Sequence, residues 1–132
     1  MQKRIKLIIE KGVVWFDNGV ANLFVRWLQQ TQSIPHKLTI GVIRPRTWSK
    51  YADKDGTALG KYCKFQIGVV GNYRINASDL IRFREFSNTL VHEFCHYEQE
   101  CNGKILGHRG VKQRAVALSR RFENDLRAEI II

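Results

Sequence analysis

The stretch Asn88-Thr89-Leu90-Val91-His92-Glu93-Phe94-Cys95-His96-Tyr97-Glu98-Gln99-Glu100-Cys101 decides how this chain is read. Just ahead of it, Asn76, Ser78 and Asp79 offer N-cap side chains. Phe83, Ser87, Leu90, Phe94, Tyr97 and Cys101 then recur at helical spacing as far as Asn102-Gly103. The pattern predicts one long helix, with Gly103 as its natural C-terminal stop.

Residues four apart on a helix project from one face, so His92 and His96 can present two imidazoles to a single ion. That is half of a Zn2+ site, since a catalytic zinc keeps three protein ligands and leaves its fourth position to water. Glu93 follows the first histidine, where a carboxylate can take a proton from the zinc-bound water and deliver it to a leaving amine. The combination implies hydrolysis of an acyl bond. Both histidines are expected beside Leu90 and Phe94, on or bordering the stripe that faces the core. The bland alternative is a pair of hydrogen-bonded core histidines with a surface glutamate between them.

The third ligand has to come from elsewhere. Glu98 and Glu100 follow on the same helix, and one rigid helix does not comfortably wrap three side chains around a small ion. His108 is better placed, because Gly103 ends the first helix and Gly107-His108 lets the chain turn back. Glu123, four turns into the following helix, is the alternative. Cys95 reads as a small hydrophobe packed beside the site, not as a ligand or nucleophile. For an oxyanion stabiliser, Tyr97, Arg109, Tyr73 and His36 are all conceivable, and the sequence does not choose among them.

Upstream, Phe16, Val20, Leu23, Phe24, Trp27, Leu28 and Thr31 space out an amphipathic helix that Pro35 stops. Before it, Ile5 to Val14 is apolar without a clear period and fits helix or strand. Leu38, Ile40 and Val42 alternate up to Arg44-Pro45 as a strand, and Pro45 to Gly60 reads as a loop with Asp55-Gly56 as a turn. Cys63, Phe65, Ile67 and Val69 alternate as a second strand, and Tyr73 to Ile75 is a short third. Val111, Ala115, Leu118, Phe122 and Leu126 describe a final helix.

With 132 residues, 44% of them hydrophobic, the chain fits one compact domain spanning 1–132. Cys63, Cys95 and Cys101 make an odd number without a CxxC pair, against both a disulfide framework and a zinc ribbon. Glu10 and Lys11 break the N-terminal apolar stretch, so no signal-peptide core forms, and no apolar run is long enough to span a bilayer. A cytoplasmic location is expected, or a nuclear one in a eukaryote. A net charge of +10 and a pI near 9.9 suggest a polyanionic partner, with nucleic acid the leading candidate.

The run His92-Glu93-Phe94-Cys95-His96 followed by Gly107-His108-Arg109-Gly110 resembles the SprT-like family, which includes the Spartan DNA-protein crosslink proteases. The resemblance covers roughly residues 15 to 125, with its specific part confined to 92 to 110. It implies an α+β, zincin-like metallopeptidase: an N-terminal helix, a short three-stranded sheet, the HExxH helix and a C-terminal helix. It also implies that the Gly-His pair supplies the third zinc ligand, His108. The substrate would be a protein or peptide lying along a sheet edge, for which family topology favours the strand Cys63 to Val69. Many members add a zinc ribbon, and none is expected after the last helix here.

The same resemblance makes DNA, single-stranded or structured, an expected partner of a monomer. Lys104, Arg109, Lys112, Arg114, Arg120 and Arg121 form the densest basic run, and Arg44, Arg46 and Lys50 accompany Trp48 and Tyr51, which could stack on bases. A solvated helix face, with Trp48 anchoring its loop, explains the same residues. Two other functions stay open: an ImmA/IrrE-like regulatory peptidase cleaving a repressor, and a non-catalytic nucleic-acid-binding module with structural zinc. Glu93 speaks against the last, because a structural site needs no base beside its ligand.

Overall fold

The computed structural model describes residues 4–49, 59–73, 75–104 and 110–128. Among these the chain is α+β: strand β1 (Ile5–Ile9), helix α1 (Trp15–Thr31), β2 (Leu38–Ile43), the short helix α2 (Pro45–Trp48), β3 (Gly60–Cys63), β4 (Gln66–Val70), and helices α3 (Asp79–Cys101) and α4 (Val111–Arg127). The sheet runs β1-β2-β4-β3, with β1, β2 and β4 parallel and β3 antiparallel on the edge. No described helix is long and apolar enough to cross a membrane.

The sheet has four strands where three were expected. The ambiguous N-terminal stretch is β1, which pairs in parallel with β2 from Ile5↔Leu38 to Ile9↔Val42. The single strand read across Cys63 to Val69 is a hairpin. Lys64 and Phe65 both take positive φ, 47° and 62°, the geometry of a two-residue turn usually written with Asn and Gly. One near and one distant partner hold this turn: Phe65 N–H donates to the Tyr62 hydroxyl at 3.0 Å, and the Phe65 ring stacks on His36 at 4.8 Å. The apolar alternation therefore passes through a chain reversal. The sheet edges are β1 and β3, and β4 is enclosed between β2 and β3. Tyr73 and Ile75 stand in turns, so no third strand forms there among the described residues, and the expected loop after Pro45 holds α2.

Leu38, Ile40 and Val42 of β2 and Ile67 and Val69 of β4 supply the buried face of the sheet. Against it pack Phe24, Trp27 and Leu28 of α1 and Leu90, Phe94 and Tyr97 of α3. Phe122 of α4 closes the core with its ring 5.3 Å from Phe24 and 5.1 Å from Trp27, and Trp27 Nε1 donates to Asp125 at 2.8 Å. On the opposite face Trp48 covers Gly68, where a Cβ would lie 3.2 Å from the indole. That contact matches the reading of Trp48 as a loop anchor.

The start of α3 is fixed by a polar tie. Asp17, 4% exposed, accepts from Asn72 N–H at 2.7 Å and faces the Arg82 guanidinium at 3.6 Å, while Arg82 lies over the Phe16 ring. Removing the carboxylate would strand a largely buried cation. Asp17→Ala is expected to cost about 3 kcal/mol in urea denaturation, and a loss below about 1 kcal/mol would show that the tie is not needed.

Candidate active site

Helix α3 is covered on three sides. Its Leu90, Phe94 and Tyr97 side faces the sheet and α1 and is fully buried. On a second side β3 approaches so closely that a Cβ on Gly60 would lie 2.7 Å from Thr89 Cγ2 and 3.0 Å from Glu93 Cγ. Further along that side the Tyr62 hydroxyl hydrogen-bonds Glu100. On the third side α4 is held by Arg114 donating to Glu98 at 3.1 Å and by Arg84 donating to Glu123 at 3.0 Å.

At 3.6 residues per turn, His92 and His96 project from the remaining sector, between β3 and α4. They do not share the Leu90–Phe94 stripe, because two residues on a helix are more than half a turn apart. His92 is half-buried and His96 is 8% exposed, with ring centroids 5.0 Å apart. His96 Nδ1 lies 3.2 Å from Gln99 Oε1. With the amide oxygen as acceptor, the imidazole proton sits on Nδ1 and the lone pair on Nε2. This is the orientation that suits a metal ligand whose second nitrogen is fixed by a hydrogen bond.

Glu93 is 7% exposed, and its carboxylate has no hydrogen-bond or ion-pair partner among the described residues. Burial alone pushes its pKa up to about 7. A carboxylate in this state exchanges a proton near neutral pH, as a general base requires.

Among the described residues no third His, Cys, Asp or Glu joins the histidine pair. His108 lies outside the described residues, as does Arg109. Gly110, two residues past His108, lines a hollow of about 360 Å³ with Cys95 and Gln99, the residues flanking His96 on that side of the helix. Glu123 is elsewhere: it pairs with Arg84, eight residues before His92 and about 12 Å away along the helix axis. Glu98 and Glu100 are engaged by Arg114 and Tyr62.

Cys95 is buried, and burial raises its pKa to about 12, consistent with a packed thiol and inconsistent with a nucleophile. Two of the oxyanion candidates lie away from the cleft. Tyr97 is fully buried, and its hydroxyl donates to the His36 carbonyl and accepts from His36 N–H. Tyr73 lines a small hollow with Leu59 and Thr89, on the β3 side.

Several expected phosphate-binding cations are in ion pairs: Arg44 with Glu10 at 3.2 Å, Arg114 with Glu98 at 3.1 Å and Arg121 with Asp125 at 3.9 Å. Lys112 and Arg120 line a groove beside His92. Lys50 and Tyr51 fall outside the described residues. Gly60 and Gln99 were not singled out from the sequence. Gln99 was visible as an i,i+3 partner of His96, whereas nothing local marks Gly60 as a contact of Glu93. No family model, curated protein or solved structure matches the chain.

The buried carboxylate has a consequence for stability. In chelator, folding favours neutral Glu93, so the stability contributed by this group is fully present below about pH 4.5, is lost as pH rises towards about 7 and then levels off. Glu93→Gln should remove that fall and be more stable than the parent by up to about 3 kcal/mol at pH 8, with little difference at pH 4.5. Parallel denaturation profiles for the two proteins would contradict the burial argument.

Proposed function

We propose that this chain is a zinc-dependent endopeptidase of the SprT-like kind, with His92, His96 and His108 as metal ligands and Glu93 as general base. The observation that carries the reading is Glu93, a buried carboxylate without a partner among the described residues, one residue from His92. Left unused, such a group only destabilises the fold. Beside a metal and a water it has a role.

The donor set fits zinc: two imidazoles from one helix face, one of them oriented by Gln99, with His108 as the third by resemblance. Zinc, when bound, would polarise the scissile carbonyl and lower the pKa of a water to about 7. Glu93 accepts the proton of the attacking water and returns it to the departing amine, and its burial matches both directions of transfer to neutral pH. The edge strand β3, with Gly60 beside Glu93, offers unpaired backbone on which an extended polypeptide can align. Action on DNA-linked proteins draws its support from the resemblance and from the net charge of +10.

The purified chain should bind about one zinc, and His92→Ala, His96→Ala and His108→Ala should each lose it. Glu93→Gln should keep the metal and lose cleavage of an unstructured protein by at least about 100-fold, within the range of general-base contributions. Full metal retention in His108→Ala would remove that ligand, and undiminished cleavage by Glu93→Gln would remove the mechanism. Gln99→Ala should weaken zinc binding by about 10- to 100-fold in a chelator competition while the fold persists. Unchanged affinity would show that Gln99 does not orient His96.

A further inference from the structure

A groove of about 520 Å³ runs between α3 and α4. It begins at His92 and ends at Arg84 and Glu123, whose 3.0 Å contact closes it. Ser87, Ala115 and Ser119 line it, and side chains this small leave a channel where larger ones would interdigitate. Phe83 and Val116 give it apolar surface, and Val116 is 51% exposed.

The charges in the groove are uneven. Arg84, Lys112 and Arg120 line it against one carboxylate, Glu123. That carboxylate is already engaged by Arg84, and by Arg127 at 3.7 Å. Lys112 and Arg120 have no ion-pair partner among the described residues. They stand eight residues apart on α4, two turns or about 12 Å. In an extended polypeptide, residues four apart share a face and lie about 13 Å apart.

Building on the peptidase reading above, we propose that the α3–α4 groove is a substrate subsite selecting an acidic stretch of polypeptide. Two carboxylate side chains four residues apart reach Lys112 and Arg120. The mouth of the groove is at His92, so its occupant is continuous with the bond to be cut. Phe83, Val116 and the fixed carboxylate of Glu123 suit side chains with alkyl stems better than a phosphodiester backbone. Within a protein substrate, the subsite favours scission next to an acidic stretch.

The test uses the zinc-loaded full chain and two fluorogenic peptides of one apolar sequence, carrying either two Glu or two Lys four residues apart. Cleavage is followed as kcat/KM, and binding by anisotropy on Glu93→Gln, which separates recognition from chemistry. The acidic peptide should be favoured about tenfold at low salt, the sum expected of two exposed ion pairs. The preference should fade at high salt. Lys112→Glu combined with Arg120→Glu should invert it, and Lys112→Arg combined with Arg120→Lys should retain it. If the double reversal does not fold, Lys112→Gln and Arg120→Gln singly should each reduce the preference by about threefold.

Cleavage of both peptides at equal rates would overturn the subsite and leave the peptidase reading standing. Charge-dependent binding without cleavage would support the subsite and overturn the peptidase reading. Displacement of the acidic peptide by oligo-dT from the parent, but not from the double reversal, would make the groove a nucleic-acid site and overturn the proposal.

Discussion

Helix α3 is buried on three sides by different partners: the sheet and α1 behind it, β3 on one flank and α4 on the other. Everything else at the candidate site follows from that enclosure. A helix packed this way has one sector left for solvent and ligands, and in this chain that sector carries His92 and His96. The flanking elements set the depth of the cleft and the dielectric around Glu93. The polar tie among Asp17, Asn72 and Arg82 fixes where the helix begins, and hence the height of each of its residues against β3.

The energetics of the cleft run against those of the core. In the core, buried polar groups such as Asp17 and the Tyr97 hydroxyl are matched by partners. In the cleft, Glu93 is buried without one among the described residues. Gln29 Oε1 and Arg82 Nη2 are also buried without a hydrogen bond among the described residues, so Glu93 adds to a cost that the fold carries at more than one position. His96, next to it, is oriented through Gln99 from the following turn, so the same helix supplies both the reactive group and its support.

The sequence made α3 and α4 legible because an apolar repeat near 3.6 survives whatever surrounds it, and the placement of Glu93 one residue beyond His92 came with the helix. The β-structure was less legible. Lys64 and Phe65 turn the chain with positive φ although neither is Asn or Gly, so the alternation from Cys63 to Val69 looked like one strand. Of the stabilising contacts, Tyr62 lies three residues away but His36 comes from a distant part of the chain. The Ile5 to Ile9 stretch became a strand because it pairs with β2, a partner more than thirty residues away that no local pattern encodes. Likewise, Arg44, Arg114 and Arg121 looked like free cations, since the acids that pair with them lie on other elements or a turn away.

Gly60 carries a last consequence. With a Cβ there blocked by Thr89 and Glu93, the separation between the edge strand and the motif helix is set by the smallest residue available. The width of the entrance is thus gauged by missing atoms. Any side chain at this position acts as a wedge, lifting β3 and admitting water to the carboxylate beneath. The same glycine that lets the strand lie close also keeps the base shielded, so geometry and acidity at this site share one determinant.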